Sequence, residues 1–283
     1  MFNENLFYTF ENYPDLRVSV SVMKFPGGEV GVNINTAHLE PWDLRATEAG
    51  SIRLEARIRS SDDIMALALA KDALDRVYMC SDIELFVPYF PYARQDRVCN
   101  PGEALSVKVM ANIINSLNFN SVGVVDPHSP VTVAALDRVY TWGQCECFDA
   151  LHFSWQDITI VAPDMGAAKK AEEFAKHVGA AGVIYCNKTR ELSTGKITGL
   201  DVFGDTEGKR LVVLDDICDG GRTFIELYGA IQAKGRPVSV ELFVTHGIFS
   251  KGIEVLSMYD RIVTTNSYDG GMKSSGNLLV VDV

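Results

Sequence analysis

A short apolar run, then a polar or glycine-rich turn, then an amphipathic stretch recurs along the chain. The runs are continuous rather than alternating, which is typical of strands in a sheet covered on both faces. They are IELFVP (83–88), VGVV (122–125), ITIVA (158–162), LVVL (211–214) and VELFV (240–244). Strands that alternate with helices predict an α/β protein with largely parallel sheets, which bind ligands at the carboxyl ends of their strands.

The segments between these runs carry apolar residues at the spacing of a helix face. Three such stripes are Val107, Met110, Ile114 and Leu117; Ala168, Ala171, Phe174 and Val178; and Phe224, Leu227, Tyr228 and Ile231. The third stripe stops before Gly235 and Pro237, residue types that end helices. We therefore expect helices that pack on the sheets through these faces.

The chain has 283 residues, which is long for a single hydrophobic core and sufficient for two domains. The least structured stretch near the middle is DRVYTWGQCECFDALHFSWQD (137–157). We place the domain boundary inside this stretch, with an N-terminal domain over 1–148 and a C-terminal domain over 149–283. The two halves share a pattern of elements but not a sequence.

The formal net charge of −11 and an isoelectric point near 4.9 argue against nucleic acids and anionic membranes as partners. A protein this acidic that handles phosphates must gather its positive charge locally, with help from metal ions. The start, MFNENLFYTF, is not a secretory signal, and no apolar stretch approaches the roughly 20 residues that span a bilayer. The six cysteines form no CxxC pair, as is typical of reduced thiols, so we expect a soluble cytoplasmic protein.

One segment, LVVLDDICDGGRT (211–223), combines a buried strand, two adjacent acids, a two-glycine turn and the start of a helix. Adjacent carboxylates at a strand end can accept hydrogen bonds from the vicinal hydroxyls of a ribose. The backbone N–H groups of Gly220 and Gly221 and the positive end of the helix suit a phosphate monoester. The alternative is a plain strand–turn–helix in which Asp216 or Asp219 caps the helix. The residues alone leave both interpretations open.

This segment resembles the phosphoribosyl-binding motif shared by type I phosphoribosyltransferases and ribose-phosphate pyrophosphokinases. Further stretches resemble the pyrophosphokinases in particular, in that family's order, from about residue 20 to residue 265. They are KFPGGE (24–29), VPYFPYARQDR (87–97), VVDPHSP (124–130), APDMGAAKKA (162–171), CNKTR (186–190) and VTHGIFS (244–250). The number of matches and their compatible spacing make the resemblance specific.

The resemblance implies two tandem type I phosphoribosyltransferase-like domains, each with a mostly parallel central sheet flanked by helices. It also implies an enzyme that transfers pyrophosphate from ATP to the C1 hydroxyl of ribose 5-phosphate, releasing AMP, with Mg²⁺ as cofactor. Such a displacement depends on positioning and on neutralising oxygen charge. The implied assembly is a homo-oligomer, a dimer or a hexamer, in which the ATP site is shared between subunits.

The matching positions imply a role for each candidate residue. Ribose 5-phosphate would be bound by Asp215, Asp216, Asp219, Gly220, Gly221, Arg222 and Thr223. ATP would be bound by Phe25, Glu29, Arg94, Gln95 and Asp96, with Phe25 and Glu29 reaching across a subunit boundary. The metal would be held by Asp126, His128 and Asp164, and catalysis would depend on Lys188, Arg190 and His128.

Taken without the resemblance, several of these residues have simpler interpretations. Asp164 can cap a helix over 166–178, and His128 can be a capping or core histidine. Lys188 and Arg190 can be two solvated charges on a polar stretch. If the resemblance holds, this pair is a mobile set of cations that closes on the transition state.

The chain departs from the family pattern in three places. Arg222 replaces a glycine whose backbone could require a positive φ. Two arginines that the family carries between the positions of Asp96 and Lys108 are absent, which puts control by ADP or phosphate in doubt. The chain is also somewhat shorter than typical members, so the assembly could be altered.

Three functions are therefore compatible with the sequence. The leading hypothesis is an active ribose-phosphate pyrophosphokinase. A phosphoribosyltransferase would share LDDICDGGRT but would not need YARQDR, DPH or a second domain. A non-catalytic regulatory homologue would have no chemical need of Lys188, Arg190 and His128.

Overall fold

A computed structural model describes residues 4–34, 50–78, 82–149, 151, 153–190 and 197–283, with the side chains of 188–190 and 197–198 excepted. The chain forms two compact units. Unit 1 comprises Met1–Trp142 and the short segment Ser267–Gly271, and unit 2 comprises Gly143–Asn266 and Met272–Val283. Within the described ranges, no helix is both long and apolar enough to cross a membrane.

Unit 1 is built on a seven-stranded sheet in the order β3-β2-β1-β4-β5-β6-β7. Strands β1, β2 and β3 pair antiparallel, whereas β4 to β7 are parallel. The strands are β1 (Leu6–Phe10), β2 (Tyr13–Lys24), β3 (Val30–Ile34), β4 (Ile52–Ala56), β5 (Ile83–Val87), β6 (Ser121–Val125) and β7 (Val139–Trp142). The described helices are α1 (Ser61–Val77), α2 (Ser106–Ser116) and α3 (Pro130–Ala135).

Unit 2 contains a second seven-stranded sheet in the order β10-β9-β8-β11-β12-β13-β14, in which only β10 is antiparallel. Its strands are β8 (Ile158–Ala162), β9 (Gly182–Arg190), β10 (Ile197–Phe203), β11 (Arg210–Cys218), β12 (Ser239–Gly247), β13 (Arg261–Thr265) and β14 (Leu278–Val281). Its described helices are α4 (Gln144–Phe148), α5 (Ala168–Val178), α6 (Arg222–Lys234) and a 3₁₀ turn, Ile253–Leu256. The predicted α/β class, with two mostly parallel sheets flanked by helices, is confirmed.

The apolar stripes predict the packing of the helices correctly. Val107, Met110 and Ile114 of α2 are buried in the core of unit 1. Phe224 and Leu227 of α6 are buried in the core of unit 2, and α6 ends before Gly235. The helical period therefore identified the faces that the sheets bury.

The two sheets differ in how completely their faces are covered. Strand β8 is buried throughout, as continuous apolar strands predict. In β4 burial alternates, and Arg53 lies over the Phe86 ring at 4.0 Å from the ring centroid on the second face. The continuous apolar runs of unit 1, β5 and β6, are also mostly buried, whereas β4, which alternates in sequence, keeps a half-exposed face.

The boundary between the units follows Trp142, inside the stretch 137–157 that the sequence indicated and ahead of Phe148, the last residue assigned there to the N-terminal domain. Helix α4 belongs to unit 2 because its apolar side chains pack there. The Phe148 ring lies 5.4 Å from that of Phe243 and 6.3 Å from that of Phe174, both in the second unit. These partners are distant in sequence, so the position of the boundary within that stretch had no local signal.

Strands β4 and β11 occupy equivalent places in the two sheets. Each begins a set of four parallel strands that neighbour one another in chain order, and each leads directly into a helix, α1 or α6. The turns β4–α1 and β11–α6 can therefore be compared residue by residue.

Candidate functional site

The turn between β11 and α6 ends with a helix that no side chain caps. The chain passes through Asp219 and Gly220, and Gly221 takes the N-cap position with a φ of +75° and no side-chain hydrogen bond. A methyl group on Gly221 would lie 3.2 Å from Leu256 and Val255, so both the backbone conformation and the packing require glycine. The amino end of α6 is therefore open to an anion.

The equivalent turn in unit 1 is closed by its own side chains. Ser60 caps α1 by accepting a hydrogen bond from the Asp63 N–H at 3.3 Å, and Asp63 Oδ2 accepts one from the Ser60 N–H at 2.7 Å. Lys24 forms an ion pair with Asp62 in the same first turn, at 2.6 Å. This reciprocal capping box satisfies the donors that an anion would need. Of the two related turns, only β11–α6 is built to accept an anion.

Arg222 does not carry the positive φ that its replacement of a glycine suggested. The left-handed residue is Gly221, and Arg222 begins α6 with a helical backbone. The Arg222 side chain is 85% exposed, and its Nε donates to Glu226 Oε1 at 2.7 Å, one helical turn later. The substitution is therefore compatible with the turn, and its charge is engaged along the outside of the helix.

Two adjacent acids, Asp215 and Asp216, lie near the carboxyl end of β11. The Asp216 N–H donates to Asp215 Oδ1 at 2.9 Å, and Asp216 is buried. Burial, together with the charge of Asp216 and that of Asp164 at the end of β8, raises the pKa of Asp215 well above its usual range. Two adjacent carboxyl groups offer several acceptor oxygens, which suits a pair of sugar hydroxyls.

Gln144 supports this strand end and was not recognised in the sequence. Its Nε2 donates to the Asp215 carbonyl at 2.6 Å and to Thr245 Oγ1 at 3.1 Å. The side chain is only 6% exposed, and its Oε1 has no hydrogen-bond partner among the described residues. Gln144 lies in the stretch that looked least structured, so only the fold reveals its contact with β11.

The loop after β12 is bonded to the same turn. Ser250 Oγ donates to Asp219 Oδ1 at 2.6 Å, and the Ser250 N–H donates to the Asp219 carbonyl at 3.2 Å. The N–H groups of Ile248 and Phe249 both donate to the Cys218 carbonyl, at 2.9 and 3.2 Å. The THGIFS and LDDICDGGRT segments therefore form one structure, in which Asp219 orders the turn.

Asp164 begins the turn that leads into α5. Its Oδ1 accepts hydrogen bonds from the N–H groups of Gly166 and Ala167, at 3.0 and 3.2 Å, and α5 starts at Ala168. Asp164 therefore acts as a cap, but for the turn just before α5 rather than for the first residues of the helix. Its charge also contributes to the raised pKa of Asp215, so Asp164 lies within electrostatic range of the acid pair.

Lys188 and Arg190 lie on β9, where the backbone pairs Lys188 with Leu200 and Arg190 with Ile197 of β10. Their side chains, and residues 191–196 that follow, lie outside the described part of the chain. Their catalytic role stays a prediction. The sequence showed no clear element here, whereas the structure continues β9 through both residues.

In unit 1 the structure brings Asp96 and His128 into the same neighbourhood. Burial raises the pKa of Asp96, but the adjacent Arg97 and the charge of His128 outweigh it and lower that pKa below its usual value. Asp126 is 3% exposed, has a left-handed φ of 37° and donates its N–H to the Trp142 carbonyl at 2.7 Å. A strained backbone of this kind is found preferentially at functional sites. His128 is exposed, which argues against a core histidine.

The rest of the YARQDR segment has a defined local structure. Gln95 accepts a short hydrogen bond from Ser106 Oγ through its Oε1, and the Gln95 carbonyl accepts one from the Val107 N–H at 3.4 Å. Gln95 therefore links the segment to the start of α2. Arg94 is exposed, as a residue that meets phosphate oxygens would be.

Phe25 and Glu29 close the hairpin between β2 and β3. The Phe25 N–H donates to the Glu29 carbonyl at 2.8 Å, and Gly28 has a φ of +95°. The Phe25 side chain is 49% exposed, although its ring covers the backbone of Gly31. An aromatic ring held open on a hairpin is available for stacking.

In the described ranges, no three histidine, cysteine or acidic side chains converge as a metal cage. Mg²⁺ is typically held by one or two carboxylates together with substrate phosphates. The oxygen donors of Asp126 and Asp164 fit that mode, whereas the imidazole of His128 is a less usual Mg²⁺ ligand.

Two family models match this chain. The first, described as the N-terminal domain of ribose phosphate pyrophosphokinase, matches residues 16–117. The second, described as a phosphoribosyl transferase domain, matches residues 146–268. The first match lies in unit 1, and the second covers most of unit 2.

Curated relatives extend the similarity over nearly the whole chain. A ribose-phosphate pyrophosphokinase of Aquifex aeolicus is 30% identical, over 99% of this chain and 89% of the relative. Enzymes of the same name from Marinomonas and Maricaulis maris are 30% and 28% identical, each over 88% of this chain and 78% of the relative.

A solved structure shares the fold. The phosphoribosylpyrophosphate synthetase of Mycobacterium smegmatis superposes with a TM-score of 0.77 at 23% identity, over 94% of this chain and 86% of that one. At this identity the likeness shows the fold alone. The relatives at 30% identity, matched over most of their length, establish the family, and the chain belongs to the ribose-phosphate pyrophosphokinases.

Proposed function

We propose that this protein transfers pyrophosphate from ATP to ribose 5-phosphate. The C1 hydroxyl oxygen of the sugar attacks the β-phosphorus of ATP and loses its proton. The bond from the β-phosphorus to the oxygen that bridges it to the α-phosphorus breaks, and AMP leaves with that oxygen. The products are phosphoribosyl pyrophosphate and AMP. The observation that carries this proposal is the open β11–α6 turn beside an acid pair, in a chain whose related β4–α1 turn is closed.

The sugar phosphate would occupy the β11–α6 turn. Asp215 and Asp216 would bind the ribose hydroxyls, because the oxygens of both side chains can accept hydrogen bonds. The phosphate would lie at the amino end of α6, around Gly220, Gly221 and Thr223, where no side chain caps the helix and its dipole favours negative charge.

The nucleotide would bind to unit 1. The YARQDR segment supplies Arg94, Gln95 and Asp96, and Arg94 is exposed for contact with phosphate oxygens. Phe25 would stack on the adenine and Glu29 would help to read it, from the hairpin of a neighbouring subunit. The half-exposed Phe25 ring supports this role, because such a ring gains a partner on stacking. The implied assembly is a homo-oligomer, either a dimer or a hexamer.

Mg²⁺ fits the oxygen donors near the two strand ends. Asp126 and Asp164 would contribute carboxylates, and His128 would support the site of unit 1. When bound, the ion neutralises charge on the triphosphate oxygens. The low pKa of Asp96 keeps that carboxylate ionised beside His128.

Lys188 and Arg190 would act on the transferring group. Both residues lie on β9, and closing a pair of cations over a substrate is a common way to exclude water. Two cations near the transferred phosphorus would stabilise the charge that builds up on its oxygens. This local positive charge is what a chain with a net charge of −11 otherwise lacks.

The test is an assay with ATP, Mg²⁺ and ribose 5-phosphate, followed by separation of the nucleotides. We expect AMP and phosphoribosyl pyrophosphate in equal amounts. A phosphoribosyltransferase would instead consume phosphoribosyl pyrophosphate when given a base. A non-catalytic homologue would bind nucleotide without producing AMP, so AMP at the level of an enzyme-free control would refute the proposal.

Lys188→Ala tests the catalytic assignment. We expect kcat to fall by about two to four orders of magnitude, because an interaction made mainly in the transition state is lost. The dissociation constant for ribose 5-phosphate should stay nearly unchanged. An equal loss of binding and turnover would mean that Lys188 grips the ground state instead.

A further inference from the structure

The β11–α6 turn is surrounded by acids, although it is proposed to hold a dianion. Asp215, Asp216 and Asp219 precede the helix, and the nearest cation in sequence, Arg222, is bonded to Glu226. Such an ion pair on the outside of the helix directs the Arg222 guanidinium along α6. In this arrangement the guanidinium points away from the turn along the helix, so a second cation beside the turn would add the charge that a phosphate needs.

Lys251 lies against this turn from the loop after β12. A methyl group placed on Gly220 would lie 3.5 Å from Lys251 Cγ and 3.8 Å from Ser250 Oγ. The stem of the lysine therefore lies beside the backbone of Gly220 in the turn. The two hydrogen bonds from Ser250 to Asp219 hold the preceding residue in place.

Lys251 is also uncommitted to any other group. Its side chain is exposed, and within the described ranges it forms no hydrogen bond or ion pair. A lysine ammonium is a compact charge on a flexible stem, so it can reach a phosphate without disturbing the backbone. Nothing in the sequence pointed to this residue, because it lies outside both motifs and meets the turn only in the fold.

We propose that Lys251 binds the phosphate of ribose 5-phosphate and completes the cradle formed by Gly220, Gly221 and the amino end of α6. This assignment rests on the function proposed above for the same turn. The Lys251 ammonium would supply positive charge, since the Arg222 guanidinium is paired with Glu226. The backbone N–H groups would orient the phosphate through hydrogen bonds. Lys251 would thus favour phosphorylated over unphosphorylated ribose.

The experiment measures the affinity of the full-length protein for ribose 5-phosphate by calorimetry. The variants are Lys251→Met and Lys251→Gln, which remove the charge, and Lys251→Arg, which keeps it. Lys234→Met is the matched control, because Lys234 is an exposed lysine at the opposite end of α6. Arg222→Ala measures the contribution of the second cation near the turn. Circular dichroism checks that each variant is folded.

We expect the two neutral variants to weaken binding by about 10- to 100-fold, as the loss of a charge-assisted hydrogen bond does. Lys251→Arg should retain most of the affinity, and Lys234→Met all of it. Arg222→Ala should have a smaller effect than Lys251→Met. In steady state, KM for ribose 5-phosphate should rise while kcat and KM for ATP stay within about twofold.

A binding role also has a signature in salt. The affinity of the wild type should fall as ionic strength rises, and this dependence should be weaker in Lys251→Met. Equal affinity of wild type and both neutral variants would overturn the role of Lys251 alone. An equal loss in the Lys234→Met control would overturn it as well. No binding of ribose 5-phosphate by the wild type would refute the proposed function, and the assignment with it.

Discussion

Gly221 meets two separate demands at one position. Its φ of +75° places it where side chains are disfavoured, and Leu256 and Val255 lie 3.2 Å from the place of a β-carbon. The residue before α6 therefore shapes the turn and leaves its N–H groups uncapped. Arg222, which seemed the doubtful member of the motif, starts the helix without strain.

Gly221→Ala should disturb both the fold and the phosphate site. We expect a loss of about 1–2 kcal/mol in the free energy of unfolding, from the left-handed backbone, and a higher KM for ribose 5-phosphate. Gly229→Ala is the control, because Gly229 is exposed within α6 and a methyl group there meets nothing within 4 Å. That variant should gain roughly 0.5–1 kcal/mol from helix propensity. Urea unfolding of both variants measures these changes. An equal loss of unfolding free energy in the two variants would contradict this account.

Helix α4 is short, yet it supports the strand that carries the acid pair. Phe148 anchors the helix against Phe243, and Gln144 reaches the Asp215 carbonyl and Thr245 from the same helix. The ladder between β11 and β8 ends at Val213, and beyond it a side-chain donor is useful because buried carbonyl groups are costly to leave unpaired. Placing α4 in unit 2 therefore has a functional consequence for β11.

Gln144→Met keeps the shape of the side chain and removes its donors. We expect the free energy of unfolding to fall by about 1 kcal/mol and KM for ribose 5-phosphate to rise a few-fold. KM for ATP should not change, since the loss is confined to the end of β11. Gln232→Met, on the exposed side of α6, is the matched control and should leave both quantities unaltered. A variant indistinguishable from wild type would remove Gln144 from the site.

Strand β12 contains a buried acid, Glu241, whose Oε2 lies 3.6 Å from Arg261 Nε and accepts no hydrogen bond among the described residues. Burial raises the pKa of Glu241 more than Arg261 and Arg210 lower it. The folded state therefore binds a proton more tightly than the unfolded state. Between the unfolded and folded pKa values, stability falls as pH rises.

Glu241→Gln should consequently stabilise the protein at pH 7, because the buried wild-type carboxylate is ionised there at a cost in desolvation free energy. The gain should shrink as pH falls through the folded pKa and vanish below the unfolded one, where both side chains are neutral. Chemical unfolding of wild type and variant across acid and neutral pH measures this difference. A variant that is less stable at pH 7 would mean that the ion pair with Arg261 dominates.

At the scale of the whole molecule, the two units reuse one strand order for different purposes. Unit 2 leaves its β11–α6 turn open, while unit 1 closes the β4–α1 turn with Ser60 and Asp63. The β2–β3 hairpin of unit 1 instead presents Phe25 on its surface. A ring that serves a neighbouring subunit would explain why half of its surface stays exposed, although it covers the backbone of Gly31.

Mixing two impaired variants, at an ATP concentration far below the raised KM of the first, tests the shared nucleotide site. We expect Phe25→Ala to raise KM for ATP strongly, and Lys188→Ala to abolish turnover. If each site takes its hairpin from a neighbour, co-refolded mixtures should regain about a quarter of wild-type activity, since half of random dimers hold one intact site of two. Light scattering in the presence of ATP measures the molecular mass and therefore the number of subunits in the assembly. Mixtures no more active than their parents would place the whole site in one subunit.

The sequence by itself determined the elements of this protein. Apolar runs and helical stripes predicted the strands and helices, because these patterns follow from local backbone geometry. The same local reasoning located the β11–α6 turn, since strand, acids, glycines and helix are contiguous. The family motifs then indicated the chemistry of ATP and ribose 5-phosphate.

The tertiary structure decided which of two related turns is open and which residues support it. Gln144 meets Asp215 from 71 positions away, and Ser250 meets Asp219 from 31. Contacts of this kind have no local pattern, since they depend on how strands order themselves in the sheet. For the same reason, Lys251 could be connected with the phosphate turn only after β11 and β12 were seen side by side.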